Sequence, residues 1–329
     1  MAKKIAINGF GRIGRLTLRN LINRKDVEIV GINDLTDTAT LAHLFEYDSS
    51  HRRFEGTVNV ADDNLVINGK TIPTFSMRNP AELPWADLEV DVVLECTGFF
   101  RKKEQAMLHI TAGAKKVLLS APAKSEGVPT IVKGVNDHLL TGEDLIVSNA
   151  SCTTNCLAPL VKIIDDNWGL QYGFMSTVHA YTANQKLQDA PHKDLRRARA
   201  AAVNMIPTTT GAANALALVL PELKGKISAS SIRVPVPTGS LVELMCVLDK
   251  KVDVATVNSK FKAASEAELK GILEYSEKPL VSTDIVSSPY SSIFDAPLTT
   301  VHNGMLKVTA WYDNEAGYSA RLAELALMI

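Results

Sequence analysis

The chain has 329 residues, 46% of them hydrophobic and 22% charged, with a formal net charge of −1. That length exceeds one ordinary core and predicts two domains of a globular protein. The near-zero charge gives no pull toward nucleic acid or acidic lipid, no apolar run approaches the ~20 residues that span a bilayer, and Asn8 and Gly9 break the first apolar run before it could serve as a secretory leader.

Lys4 to Asn8 reads as a short buried parallel strand. Gly9-Phe10-Gly11-Arg12-Ile13-Gly14 follows at once and matches G-x-G-x-x-G. Arg15 to Asn23 offers Leu16, Leu18, Leu21 and Ile22 to pack a helix, and Val27 to Asn33 is a second strand that ends at Asp34. The glycines therefore lie between strand and helix inside a βαβ unit, with an acid about twenty residues beyond the last of them. In that setting Gly9 permits a tight turn, Gly11 lets backbone approach a pyrophosphate, and Gly14 lets helix and strand pack closely. The helix N-terminus supplies N–H groups to the pyrophosphate. Asp34 would bind both hydroxyls of an adenosine ribose and repel a 2′-phosphate, which makes NAD, not NADP, the expected cofactor. The competing reading makes Asp34 a cap for the next helix.

Strand-like runs over 90–98 and 116–120 flank a helical stretch near 103–112. Both end in small or polar residues, as parallel strands do where they meet a ligand crevice. Ile146 to Asn149 is a further strand and delivers the chain to Ser151-Cys152-Thr153-Thr154-Asn155-Cys156. A helix is expected over Leu157 to Ile164. A cysteine at such a strand-to-helix turn meets unpaired backbone N–H groups and the positive end of the helix dipole, which favours the nucleophilic thiolate. The bland alternative, a cysteine packed as a small hydrophobe, sits poorly with its polar neighbours. Four cysteines (96, 152, 156 and 246) are too few and too irregular for a disulfide scaffold, so a reducing cytoplasm is expected. Neither C-x-x-C nor H-E-x-x-H occurs, and no metal site is expected.

The pattern then changes. Strands are expected at Gly173 to Ala180, Arg233 to Val236, Val242 to Leu248 and Leu306 to Tyr312, and a helix over 317–329. Long strands with fewer helices predict an α+β second part with a mixed or antiparallel sheet. His179 is the best proton acceptor for Cys152, although six other histidines (43, 51, 109, 138, 192 and 302) compete with it. Arg196, Arg197 and Arg199 suit either an anion or ion pairs. Arg233, read as opening a strand before two prolines, and Thr208-Thr209-Thr210-Gly211 suit phosphate or oxyanion binding.

Asn8 to Arg15, Ser148 to Cys156, His179-Ala180-Tyr181-Thr182, Asp194 to Arg199, Thr208 to Ala213 and Asp313-Asn314-Glu315 occur in that order. Over its whole length the chain resembles the phosphorylating glyceraldehyde-3-phosphate dehydrogenases. The resemblance implies an α/β Rossmann, doubly wound domain (1–151, with helix 315–329 packing back on it) and an α+β catalytic domain (152–314), assembled as a homotetramer. It implies NAD-dependent oxidative phosphorylation of D-glyceraldehyde 3-phosphate through a cysteine hemithioacetal and thioester. Cys152 corresponds to the nucleophile and His179 to its base. Thr182 and Arg233 match the site for the substrate's own phosphate. Ser151, Thr153, Arg197, Thr210 and Gly211 match the site for inorganic phosphate. Arg12, Ile13, Asp34, Arg78, Thr97 and Ser120 match cofactor contacts, Asn314 the residue orienting the nicotinamide carboxamide, and Tyr318 a neighbour of the ring. The loop from about Ala180 to Asn204 matches one that lines a neighbouring subunit's cofactor site. The chain departs from the family at Ala316, where tryptophan is usual, at Ala183-Asn184, at Ala190-Pro191 and in Val236 to Ser240.

Overall fold

Short strands and helices build the first part of the chain: β1 (Lys3–Asn8), α1 (Arg12–Leu21), β2 (Val27–Asn33), α2 (Thr38–Glu46), β3 (Val58–Ala61), β4 (Asn64–Ile67), β5 (Lys70–Ile72), β6 (Thr74–Phe75), β7 (Val92–Glu95), α3 (Lys103–Thr111), β8 (Lys116–Leu119) and β9 (Ile146–Ser148). A computed structural model describes residues 2–329, which divide into two units. Residues to 131, 138–150 and 319–329 form the first; 132–137 and 151–318 form the second.

In the first unit six parallel strands run in the order β6-β2-β1-β7-β8-β9. Ile5, Ala6 and Ile7 are fully buried, as expected of a strand covered on both faces. Register aligns the carboxyl ends: Asn8 pairs with both Asn33 and Glu95, and Glu95 with Leu119. Gly9, Asp34, Cys96 and Ser120 therefore leave the sheet along one edge. Leu322, Leu325 and Ala326 share a buried cluster with Ile5, Ile7, Leu18 and Phe45. Lys3 Nζ donates to the carbonyls of Ala326 and Leu327 at 3.3 and 3.0 Å, a cation at a helix C-terminus.

The second unit contains α4 (Cys152–Trp168), β10 (Leu170–Ala180), β11 (Ile206–Thr208), α5 (Ala212–Val219), β12 (Ile227–Val234), β13 (Ser240–Leu248), α6 (Val254–Glu266), β14 (Leu273–Ser276), β15 (Ser292–Asp295), β16 (Thr300–His302) and β17 (Met305–Tyr312). The last helix, α7 (Ala316–Met328), begins in it. The sheet is mixed, in the order β11-β12-β10-β13-β17-β15-β14, with β16 beside β17. β10 pairs parallel with β12 and antiparallel with β13, so His179 falls opposite Arg233.

Two expectations are corrected here. Arg233 lies near the end of β12 and does not open a strand; Ser228, Ser230 and Ser231 hid the earlier residues by breaking the apolar pattern. The run over 90–98 is a strand only over Val92–Glu95. The meander β3-β4-β5 was also missed, although Asp62-Asp63 and Asn68-Gly69 all have positive φ and form two-residue hairpin turns of the kind Asn-Gly favours.

Candidate active site

The three glycines of the fingerprint meet three different constraints. Gly9 has φ +95°, and a Cβ there would lie 2.6 Å from the Thr97 nitrogen. A Cβ on Gly14 would lie 2.3 Å from the Gly9 carbonyl oxygen. At Gly11 a Cβ would meet nothing within 4 Å, and this residue is the N-cap of α1 with no side-chain cap. The protein itself thus demands small residues at Gly9 and Gly14, whereas Gly11 faces open space before uncapped helix amides. That cradle fits the pyrophosphate of a dinucleotide.

Gly9, Gly11, Asp34, Arg78 and Thr97 line one cavity of about 460 Å³ in the first unit. Asp34 accepts the N–H groups of Phe10 at 2.8 Å and Thr36 at 3.0 Å, which fixes its carboxylate at the cavity. The cap of α2 is Asp37, whose side chain accepts from Thr40 N–H, so the competing role for Asp34 is absent. Arg12, Ile13 and Ser120 are not among the residues lining this cavity. Arg12 instead pairs with the buried Asp48, and Ile13 packs against the apolar cluster.

A buried polar network that sequence reasoning missed stands behind the same cavity. Glu95 Oε1 accepts the Thr97 N–H at 2.8 Å and also the Thr97 hydroxyl. Its Oε2 accepts Asn8 Nδ2 at 2.6 Å and faces His109 Nε2 at 3.0 Å. Trp85 Nε1 donates to His109 Nδ1 at 3.0 Å, which puts the histidine proton on Nε2 and aims it at Glu95. Asn33 Nδ2 closes the chain on Asn8 Oδ1 at 2.7 Å. The available signal was a lone glutamate in an apolar strand, which has to be paired if buried.

In the second unit Ser151 caps α4: its Oγ accepts the Thr154 N–H at 3.1 Å. Cys152 is therefore the first helical residue, and Ala150 at φ +55° makes the sharp turn before the cap. Cys152 remains partly exposed. Its Sγ lies 3.5 Å from His179 Nε2. His179 Nδ1 lies 2.7 Å from the Ala180 carbonyl oxygen, to which Arg233 also donates at 2.9 Å. Arg233 Nη1 lies 2.7 Å from the same Nδ1 and can only donate, so the carbonyl and the guanidinium favour opposite tautomers; in the one with its proton on Nδ1, Nε2 is bare and faces the sulfur, which is the form a general base needs. Tyr312 packs edge-on against the imidazole and shares its hydroxyl with Thr153 and Thr177 Oγ1, both at 2.9 Å.

The electrostatics correct the expectation of a thiolate made by the helix alone. Burial pushes the Cys152 thiol up; Arg233, the Thr153 hydroxyl and the backbone N–H groups of Thr153 and Cys152 pull in the opposite direction and do not win. Burial, then the Arg233 charge, pushes His179 down to about 3. Each charge alone is disfavoured. A proton moved from Sγ to Nε2 creates both charges together and adds no net charge to the site.

Arg233 Nε is buried without a protein partner, a donor left for an anion. Burial and the nearby Arg197 charge lower the Arg233 pKa, so the two cations repel one another. Arg197 donates to Thr208 Oγ1 at 2.8 Å and to the Thr209 carbonyl at 3.1 Å. Thr210 Oγ1 accepts the Ala212 N–H, and Gly211 is the open N-cap of α5. Thr182 is half-buried, its N–H on Gln185 Oε1 at 3.3 Å. Asn314 and Tyr318 are both buried. The Thr153 hydroxyl is engaged in the interior, on Tyr312.

Residues 3–103 match the glyceraldehyde 3-phosphate dehydrogenase NAD-binding domain, and residues 151–314 the C-terminal domain of the same family. The chain is 55% identical to glyceraldehyde-3-phosphate dehydrogenase of Geobacillus stearothermophilus, over all of this chain and 98% of that protein. It is 53% identical to glyceraldehyde-3-phosphate dehydrogenase 2 of Streptomyces avermitilis and 53% identical to the enzyme of Mycolicibacterium smegmatis, in each case over all of this chain and 99% of the relative. The paired parallel and mixed sheets, the dinucleotide cradle and the cysteine–histidine pair thus have a common explanation, and the chain belongs to the glyceraldehyde-3-phosphate dehydrogenase family.

Proposed function

We propose that this chain catalyses the NAD-dependent oxidation and phosphorylation of D-glyceraldehyde 3-phosphate to 1,3-bisphosphoglycerate. The observation that carries the reading is the 3.5 Å approach of Cys152 Sγ to His179 Nε2 at the start of α4. His179 takes the thiol proton as Sγ attacks the aldehyde carbon, forming a hemithioacetal. The Cys152 backbone N–H and the protonated His179 donate to the oxyanion, where charge develops in the transition state, and His179 passes its proton to that oxygen to give the hydroxyl. NAD⁺, when bound, supplies the hydride acceptor. Loss of hydride leaves a thioester on Cys152, and His179 removes the hydroxyl proton as the carbonyl forms. Inorganic phosphate then attacks the thioester carbon, the acyl phosphate leaves, and the thiolate is restored.

Substrate and attacking group both carry phosphate, which explains two cationic centres near one sulfur. Arg233, with its unpartnered Nε, and Thr182 bind the substrate phosphate. Arg197, Thr210, Gly211, Ser151 and Thr153 bind inorganic phosphate. Gly9, Gly11, Gly14, Arg12, Ile13, Asp34, Arg78, Thr97 and Ser120 hold the cofactor, with Asn314 and Tyr318 at the nicotinamide. In this reading 1–151 with helix 315–329 is the cofactor domain and 152–314 the catalytic domain.

The chain works as a cytoplasmic homotetramer in the same reading. No helix among the described residues is long and apolar enough to cross a membrane. Leu187, Leu195, Val203 and Met205, all within or beside the loop over 180–204, are exposed by 76% or more, which suits a subunit contact. The test is a spectrophotometric assay with glyceraldehyde 3-phosphate, varying NAD against NADP and phosphate against none. Reduction that needs both NAD and phosphate is expected. Equal turnover without phosphate would instead indicate a hydrolysing dehydrogenase.

A further inference from the structure

The segment Thr238-Gly239-Ser240 connects the base to Asn314. Ser240 is 1% exposed, and its Oγ accepts the Ala180 N–H at 3.1 Å. A hydroxyl that accepts there still has one proton to give, and it gives it to Asn314 Oδ1 at 2.9 Å. Thr238 lies 3.4 Å from the same oxygen, but its single proton goes to Asp313 Oδ1 at 2.8 Å. The atom that Ser240 meets on Asn314 is the carbonyl oxygen, which turns Nδ2 the other way. Nδ2 has no protein partner among the described residues and keeps its two donors for a ligand. The backbone beneath is fixed independently: Asp313 Oδ1 accepts the N–H groups of Glu315 and Ala316 at 2.9 Å, and Oδ2 that of Ser287 at 2.7 Å.

The same Ala180 holds the base. Its carbonyl faces His179 Nδ1 at 2.7 Å while its N–H holds Ser240. One residue at the end of β10 thus orients the imidazole through its oxygen and the Asn314 amide through its nitrogen.

We propose that Ser240 is a positioning residue for the nicotinamide end of the cofactor: its hydroxyl sets which way the Asn314 amide faces, so that Nδ2 donates to the carboxamide oxygen. This rests on the reading of Asn314 as the carboxamide ligand. Without the hydroxyl the amide loses the bond that distinguishes its two ends, and both orientations become populated. Ser240 itself does not touch the reacting atoms.

The test compares NAD with ADP-ribose, which lacks the nicotinamide ring, by titration calorimetry on the full-length protein. Ser240→Ala should weaken NAD binding about 5- to 10-fold, as expected for one lost buried hydrogen bond, and leave ADP-ribose within about twofold. Ser240→Thr, which keeps a hydroxyl, should restore NAD affinity. Asn314→Ala combined with Ser240→Ala should bind NAD no worse than Asn314→Ala alone. If Asn314→Ala weakens NAD but Ser240→Ala does not, the role of Ser240 is overturned and that of Asn314 survives. If Asn314→Ala leaves NAD affinity unchanged, the reading of Asn314 fails and Ser240 falls with it. Equal weakening of both ligands by Ser240→Ala would mean general loosening of the site and would also overturn the proposal.

Discussion

Cys152 Sγ and His179 Nε2 lie 3.5 Å apart although 27 residues separate them in the chain. The first sits at the start of α4 and the second near the end of β10, and each position has its own cause. The Ser151 cap sets where the helix begins. The Ala180 carbonyl holds the imidazole so that its other nitrogen faces the sulfur. A base so held can take a proton without first reorienting, which lowers the barrier to thiol attack.

Cys152→Ser should abolish phosphorylating oxidation, with a loss of about 10³-fold or more, because an alkoxide is far harder to form than a thiolate at neutral pH. NAD binding should survive, since the glycine cradle and Asp34 belong to a different part of the chain. Turnover is read from nicotinamide absorbance and binding by calorimetry; near-wild-type turnover would remove Cys152 from the chemistry.

His179→Asn should slow alkylation of Cys152 at pH 7 by about 10²-fold or more and slow hydride transfer with it. The sign follows from burial, which pushes the lone thiol above its ordinary range, leaving little thiolate once the proton acceptor is gone. Reactivity should return only at a pH higher than an ordinary thiol needs. Iodoacetamide rates across pH 6–10 measure this, and identical profiles for variant and parent would count against the pair.

Asp34→Ala should narrow the preference for NAD over NADP by at least about tenfold in kcat/KM, because a carboxylate facing the ribose repels a 2′-phosphate. A parent enzyme that already used both cofactors equally would show that Asp34 has another role. The variant also loses the acceptor for Phe10 and Thr36, so a small drop in stability should accompany it.

Asp48 should contribute stability that acid removes. Burial alone would raise its pKa, but the Arg12 guanidinium and the amides of His51 and Ser50 override that and hold it at about 2. The folded value lies below the unfolded value of about 3.9, so the contribution is complete above that pH and fades as pH falls toward 2. Asp48→Asn should lower the urea midpoint clearly at pH 6, and the gap to the parent should shrink between pH 4 and 2. A gap independent of pH would mean that the pair adds nothing through its charge.

Much of the first unit was legible because its signals are local. A buried parallel strand, a glycine turn and a helix N-terminus each write their requirements into adjacent residues, and Asp34 follows at the distance a βαβ unit dictates. Cys152 was legible for the same reason, since strand, cap and helix are consecutive. His179 was the best partner on pattern, but six other histidines competed with it, because nothing local to a histidine says which sulfur it will face.

What tertiary structure decided is which distant groups meet. Strand register alone sets His179 opposite Arg233, and no property of either residue encodes that pairing. Ser240 reads as an ordinary serine at the start of a strand until folding places its single hydroxyl between Ala180 and Asn314. Glu95 and His109 are a charge and a common side chain until both are buried against Trp85 and Asn8. The sulfur's ionisation belongs to the same class. The sequence determined that helix amides would surround Cys152, but burial, which only the folded chain fixes, set the sign of its shift, because desolvation depends on every atom packed around the sulfur, not on its neighbours along the chain.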